Sequence, residues 1–221
     1  MMDRIPEPEL MNDEAQAKAY ACADFSSAHS LFVEKFKEKF PGFMFDDIVL
    51  DLGCGPCDIT RRFARAFPDT GFHAVDGAAE MLKHAKVLNE RADLGQRIKL
   101  IEGCIPDVKL PQSFYHAIIS NSLLHHCHDP IALWDAIQTH SKPYTHVFVM
   151  DLQRPVDSAT VNFLVDEYAA NEPEILRKDF KNSLHAAFTI KEVRGQLDEK
   201  GLSQLQVEEA SDRHMIIYGN M

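Results

Sequence analysis

The apolar positions of this chain fall into short, nearly unbroken runs separated by stretches of helical period, the pattern of strands buried on both faces alternating with amphipathic helices. Val49-Leu50-Asp51-Leu52, Phe72-His73-Ala74-Val75, Ile98-Lys99-Leu100-Ile101, Tyr115-His116-Ala117-Ile118-Ile119 and His146-Val147-Phe148-Val149-Met150 read as five strands. Between them, Ile59, Phe63 and Ala66 mark one helix face, Ala78, Met81, Leu82 and Ala85 a second, and Pro130 opens a third that carries Trp134. Leu205 and Val207, then Met215 and Ile217, alternate with polar neighbours on either side of Ser211-Asp212 and predict two closing strands in hairpin order. Thr189-Ile190-Lys191-Glu192 has the form of a capping box, and Lys200-Gly201 stops the helix it begins.

Two regions break this rhythm. From Ile5 to Leu10 the prolines forbid helix and predict an extended arm; helices over 13–23 and 30–40 follow, the second with Phe32, Phe36 and Phe40 on one face and Pro41-Gly42 as its stop. These first residues, 1–45, read as a helical cap completing the core, with Tyr20 and His29 polar enough to form a lid. The second region, 153–188, is inserted before the next expected unit. It holds a helix over about 159–170, a break at Glu172-Pro173 and the polar-aromatic segment 179–185. Segments at such an edge commonly select a substrate, because a loop can vary without disturbing the sheet. Arg154, Tyr168, Asn182 and His185 are therefore substrate-side candidates with Tyr20 and His29.

The chemistry concentrates at Asp51-Leu52-Gly53-Cys54-Gly55-Pro56-Cys57-Asp58, a strand end, a glycine turn and a helix start. Gly53 and Gly55 allow a sharp bend and close backbone approach to a ligand. A dinucleotide fingerprint would require a third glycine where Asp58 stands, and an anionic pyrophosphate would compete there with the carboxylate. No phosphate-cradling lysine motif follows either. Asp58 reads as the N-cap of the next helix, and Asp51 as facing a ligand that is neutral or cationic at that point. Asp76, about twenty residues beyond the glycines at the end of the second strand, sits where a carboxylate accepts the hydroxyls of a ribose. Gly77 beside it permits close approach, and Met81 is placed to cover a purine or to pack in the core.

Cys54-Gly55-Pro56-Cys57 also has the spacing of a dithiol redox pair. A thiol-disulfide oxidoreductase using Cys54 and Cys57 is the competing enzyme class, although Asp51 and Asp58 disfavour a thiolate between them.

The run Val49-Leu50-Asp51-Leu52-Gly53-Cys54-Gly55 followed by Val75-Asp76 resembles the cofactor half of the class I S-adenosylmethionine-dependent methyltransferases. A sulfonium cation answers the charge argument made for Asp51. The resemblance implies a Rossmann-like α/β fold: a seven-stranded, mostly parallel sheet with an antiparallel last strand and helices on both faces. It runs from about Ile48 to Gly219, in a single domain spanning 1–221. It further implies that Asp51, Gly53, Cys54, Gly55, Asp76, Gly77, Met81, Gly103, Cys104, Ile105, Asn121 and Ser122 surround S-adenosylmethionine and its product S-adenosylhomocysteine. Cys104 stands where the family commonly has aspartate, and Cys57 where it usually has glycine. The expected activity is in-line methyl transfer to a small-molecule acceptor, with His126 or His185 as the base where one is needed. A methyltransferase-like binding protein without turnover is a third reading.

Composition narrows the partners. The 221 residues, 45% of them apolar, suffice for one full core, and the formal charge of −11 argues against a broad nucleic-acid or anionic-membrane face. Five cysteines without a framework and an N-terminus without a signal-type apolar segment predict a cytoplasmic protein. His125, His126 and His128 are close in sequence, but adjacent histidines point apart and no second ligand cluster is visible, so no metal is expected.

Overall fold

A computed structural model describes residues 2–8, 10–43 and 47–221. Seven strands form one sheet in the order β3-β2-β1-β4-β5-β7-β6. The strands are β1 (Ile48–Leu52), β2 (Gly71–Asp76), β3 (Ile98–Glu102), β4 (Tyr115–Asn121), β5 (Ser141–Leu152), β6 (Gln206–Glu209) and β7 (His214–Asn220). The first five run parallel, and β7 is antiparallel to both of its neighbours. The expected fold class is thus observed. Strand order reverses between β1 and β4, so the carboxyl ends of these two strands border the crevice in which open α/β sheets bind ligands.

Helices cover both faces, and the period-2 alternation of the strands decides which residue meets which layer. Val49, Phe72, Ala117, Ile119 and Phe148 face a layer formed by α2 (Ser26–Lys39), α3 (Asp58–Ala66) and part of α4 (Ala79–Arg91). Leu50, Leu52, Ile118, Val147 and Val149 face α5 (Ile131–His140) and α8 (Ile190–Glu199). Phe32 and Phe36 are fully buried, and the Phe36 ring meets those of Phe40, Phe43, Phe63, Phe67 and Phe148 at 4.6–5.8 Å between centroids. The phenylalanine stripe is core, as its spacing predicts. Helix α2 begins at Ser26, four residues before the expected start, because the Asp24 carboxylate accepts the Ser26 amide and turns the chain early.

Short α1 (Glu14–Cys22) lies against α4, and the described residues before it form neither helix nor strand. The insertion forms two helices, α6 (Ser158–Tyr168) and α7 (Glu174–Ala186). Helix α7 absorbs the segment 179–185 whole. The capping box of α8 is present, with Thr189 and Glu192 exchanging side-chain and backbone bonds. No helix among the described residues is long and apolar enough to cross a membrane.

Candidate active site

The turn after β1 is built by backbone bonds to β2. The amides of Gly53 and Cys54 both donate to the Val75 carbonyl at 2.9 Å, and the Gly55 amide donates to the Asp76 carboxylate at 2.7 Å. Gly53 holds φ +74°, and a Cβ there would come within 2.9 Å of Leu123, so the bend is both left-handed and tight. Cys57 also takes the left-handed conformation, at φ 62°, and is the residue from which α3 starts. The expected cap at Asp58 is therefore corrected: Asp58 is the first helical residue and makes no capping bond. Its carboxylate instead meets His29 Nδ1 and Arg62 Nε, each at 2.7 Å, and Arg61 at 3.4 Å. The interactions with His29 and Arg62 outweigh its partial burial and hold the carboxyl well below the usual range.

Asp51 and Asp76 occupy the tips of adjacent strands. Asp51 is buried and accepts the Thr60 hydroxyl at 2.5 Å; burial pushes its carboxyl up to about 7. Asp76 accepts the Ala78 amide at 2.8 Å as well as that of Gly55, and burial outweighs both bonds, so its carboxyl is also raised. Asp58, at the start of α3, is thus a fixed anion, whereas both strand-tip acids favour a positively charged or hydroxyl-bearing neighbour.

These groups open into one cavity of about 750 Å³, within the roughly 300–1,000 Å³ of small-molecule sites. All twelve expected cofactor-side residues line it: Asp51, Gly53, Cys54, Gly55, Asp76, Gly77, Met81, Gly103, Cys104, Ile105, Asn121 and Ser122. Tyr20 and His29 line it from α1 and α2, and the Tyr20, Phe25 and His29 rings follow one another at 4.7 and 5.3 Å. Leu10, at the end of the arm, reaches so close to Gly77 that a Cβ there would lie 2.8 Å from it.

The other end of the cavity is less like the expectation. His125, His126 and Tyr168 line it, but Arg154, Asn182 and His185 do not. Leu176, Asp179, Phe180 and Ser183 form the face of α7 turned to the cavity, which puts His185 on the opposite face and Asn182 to the side. Arg154 is buried elsewhere, donating to the Ala187 carbonyl at 2.9 Å and to Glu192 at 2.5 Å. Burial and neighbouring His125 lower His126 to about 3, so this imidazole is neutral near pH 7 and a poor base. The dithiol reading fails on chemistry: Cys54 and Cys57 are both buried, and burial pushes the Cys54 thiol well up, away from the thiolate that exchange requires.

Asp151, a third acid at a strand tip, carries more than its sequence position alone disclosed. It accepts His125 Nδ1 at 2.5 Å and the Leu124 amide at 2.8 Å, fixing the single 3-10 turn Leu124–His126. Glu7 of the arm comes to 3.5 Å from His125 and 3.6 Å from His126. No signal near Glu7 in the sequence pointed to this meeting. The strand-end acid before an insertion was the available clue to Asp151.

Sheet order, reversal point and acidic strand tips define the class of Rossmann-like methyltransferase folds. A sequence model of the methyltransferase domain matches residues 49–144. A ubiquinone biosynthesis O-methyltransferase of Xylella fastidiosa (strain 9a5c) is 31% identical over 124 residues, 54% of this chain and 48% of that protein, so the match spans about half the relative's length. Among solved structures, an S-adenosylmethionine-dependent methyltransferase from Aquifex aeolicus superposes with TM-score 0.68 at 16% identity, covering 93% of this chain and 97% of that one. The plantazolicin methyltransferase BpumL, solved with a pentazolic desmethylPZN analogue and SAH, gives 0.71 at 15% identity, covering 95% and 92%. Residues 49–144 thus match the methyltransferase-domain model, and the chain shares the fold of S-adenosylmethionine-dependent methyltransferases.

Proposed function

We propose that this protein binds S-adenosylmethionine and transfers its methyl group in line to a small-molecule acceptor, releasing S-adenosylhomocysteine. The observation that carries this reading is the pair of strand-tip acids, Asp51 and Asp76, flanking a glycine turn at the head of the cavity. Asp76 keeps its carboxylate oriented with two backbone amides and has lone pairs left for ribose hydroxyls. Asp51, costly to ionise in its buried position, gains most from a cofactor that brings positive charge. Met81 and Ile105 supply apolar walls for the base, and Asn121 and Ser122 lie at the end of β4, toward the methyl group.

The sulfonium supplies an electrophilic methyl carbon. The chain's own task is to align a nucleophile opposite the departing sulfur and to exclude water. The cap, 1–45, and the insertion, 153–188, would do this with Tyr20, His29 and the cavity face of α7. His126 is better suited to orient an acceptor than to take its proton, since it is neutral and weakly basic. Cavity size favours a small acceptor, and the net charge of −11 disfavours nucleic acid. Both the ubiquinone-pathway relative and BpumL carry names that fit an acceptor of this class.

Calorimetry with S-adenosylmethionine and S-adenosylhomocysteine on wild type and Asp76→Ala tests the cofactor. Binding by wild type, weakened about 100-fold in the variant, is expected from the loss of a charged hydrogen-bonding group. Equal, weak responses from both proteins would overturn the reading. Tight binding without turnover across a broad panel of acceptors would leave a binding protein instead.

A further inference from the structure

We propose that Glu7, His125 and His126 form a site for a divalent cation of the zinc type, which fastens the N-terminal arm to the acceptor end of the cavity. Each of the three offers one ligand atom, and these atoms all lie within 4.8 Å of one another. Glu7 Oε1 is 3.5 Å from His125 Nε2 and 3.6 Å from His126 Nδ1. Both separations exceed the 2.7–3.2 Å of an ordinary N–H···O hydrogen bond. Two ligands each held about 2.1 Å from one tetrahedral ion lie about 3.4 Å apart, which is close to the distances observed.

Glu7 supplies the independent sign of a missing partner. Its side chain is 9% exposed, and Oε1 has no hydrogen-bond partner among the described residues. A buried carboxylate oxygen left this way is costly unless something positive meets it.

The histidines are arranged as ligands are. His125 gives its Nδ1 proton to Asp151 at 2.5 Å, which directs the lone pair of Nε2 toward Glu7. This carboxylate, histidine and ion order is the usual means of fixing a ligating imidazole. Asp151 is itself held by the amides of Leu124 and Leu152. At His126, Nδ1 faces Glu7 and also the Pro8 carbonyl oxygen at 3.4 Å, and an ion in that space would take the lone pair with the ring proton on Nε2. One carboxylate and two imidazoles match the donor set that zinc accepts, and a three-ligand site leaves a coordination position for water or an acceptor atom. A dication there would place positive charge beside two carboxyl groups, Glu7 and Asp151. Arg4 does not fill that role, because its guanidinium is spent on the carbonyls of Ala186, His125 and Cys127.

The two histidines line the cavity, whereas Glu7 comes from the arm behind them. An ion bound among them ties the arm to the turn after β4. Only the suggestion that an acceptor atom completes its coordination rests on the methyltransferase reading; the ion site does not.

The test is zinc calorimetry on chelator-treated protein, with metal content after dialysis, in wild type, Glu7→Gln and His126→Ala. The expected result is one ion per chain in wild type, and loss in both variants beyond the roughly 10–100-fold that Asp151→Asn, acting through His125, should cause. Zinc should also slow hydrogen exchange at the Ile5 and Glu7 amides in wild type alone. Circular dichroism checks that the variants are folded; Glu7→Gln changes no volume and lies outside every helix and strand. No stoichiometric binding by wild type, or binding retained in both variants, would overturn the proposal. S-adenosylmethionine affinity measured on the same samples separates failure of the ion site from failure of the methyltransferase reading.

Discussion

The two ends of the cavity are made in different ways. At the glycine turn, Asp51, Gly53, Gly55 and Asp76 come from two strands and one loop within 26 residues, and backbone bonds between β1 and β2 fix their positions. At the other end, Glu7, His125, Asp151 and Ser183 arrive from the arm, the turn after β4, the tip of β5 and α7. The first end is a local device set by chain geometry. The second is an assembly that exists only when four distant segments are packed, so it can change its specificity without disturbing the first.

The sharpest test of where scaffold stops and site begins is on α2, whose inner face is core and whose outer face closes the cavity. Phe36→Ala should destabilise the protein by about 3–5 kcal/mol, the range for truncating a buried phenylalanine, read as a shift in the denaturant midpoint. A loss below about 1 kcal/mol would mean that the cap is not part of the core. The next effect is on the cofactor end alone. Asp51→Asn should weaken S-adenosylmethionine binding by about 1.5–3 kcal/mol, the value of a charge-assisted contact, with little change in fold. Because the Asp51 carboxyl is raised to about 7, wild-type affinity should fall as pH drops from 8 to 6, whereas the asparagine variant should show no such slope there. In the free protein the sign is reversed: burying this acid favours folding below its ordinary value near 4, and that contribution is lost as pH rises toward 7. A calorimetric pH series on both proteins measures the first effect, and urea midpoints across the same range measure the second.

What could be read in advance follows the same division. Strand ends closed by Asp51, Asp76 and Asp151 were visible because buried strands are unbroken apolar runs and an acid at their edge stands out. The residues that line the cofactor end needed no long-range information. Arg154, Asn182 and His185 were candidates on polarity alone, and polarity does not say which side of α7 a residue occupies or that an arginine will be consumed by a capping box. Once Pro173 fixes the start of α7, Leu176, Asp179, Phe180 and Ser183 fall on one face, a period obscured by the break before it. Glu7 lay beyond sequence reasoning because an extended, proline-bounded arm has no period from which to infer its destination. The Ile5 amide bonding to the His185 carbonyl at 3.0 Å, and Arg4 stacked 4.0 Å over Phe188, set its course.

Between the two ends, Asp58 joins the cap helix α2 to α3, and its removal should be felt less. Asp58→Asn keeps the shape but loses the charge that meets His29 and Arg62, and should cost about 1–2 kcal/mol given its partial exposure. The depressed carboxyl gives a stabilisation complete above the ordinary aspartate value near 4, lost as pH falls through the lower folded-state value. Urea midpoints between pH 5 and pH 3 should therefore fall more steeply for wild type than for the variant; parallel curves would show the ion pair to be without thermodynamic weight.

The smallest effect is the most specific to this chain. Cys57 takes φ 62° at the start of α3, a conformation that costs a residue bearing Cβ roughly 1–2 kcal/mol and costs glycine nothing comparable. Its thiol is fully buried among Phe-rich packing, so the side chain returns some of that energy by contact. Cys57→Gly removes both the strain and the contact and gives the unfolded chain more freedom, leaving a net change within about 1 kcal/mol. Cys57→Ala keeps the strain and loses the sulfur, so it should be the less stable of the two, by up to about 1 kcal/mol. Thermal unfolding of the pair decides the matter. If alanine is the more stable, the turn at the cofactor end is held by packing and not by backbone conformation, and the contrast between the two ends of the cavity narrows.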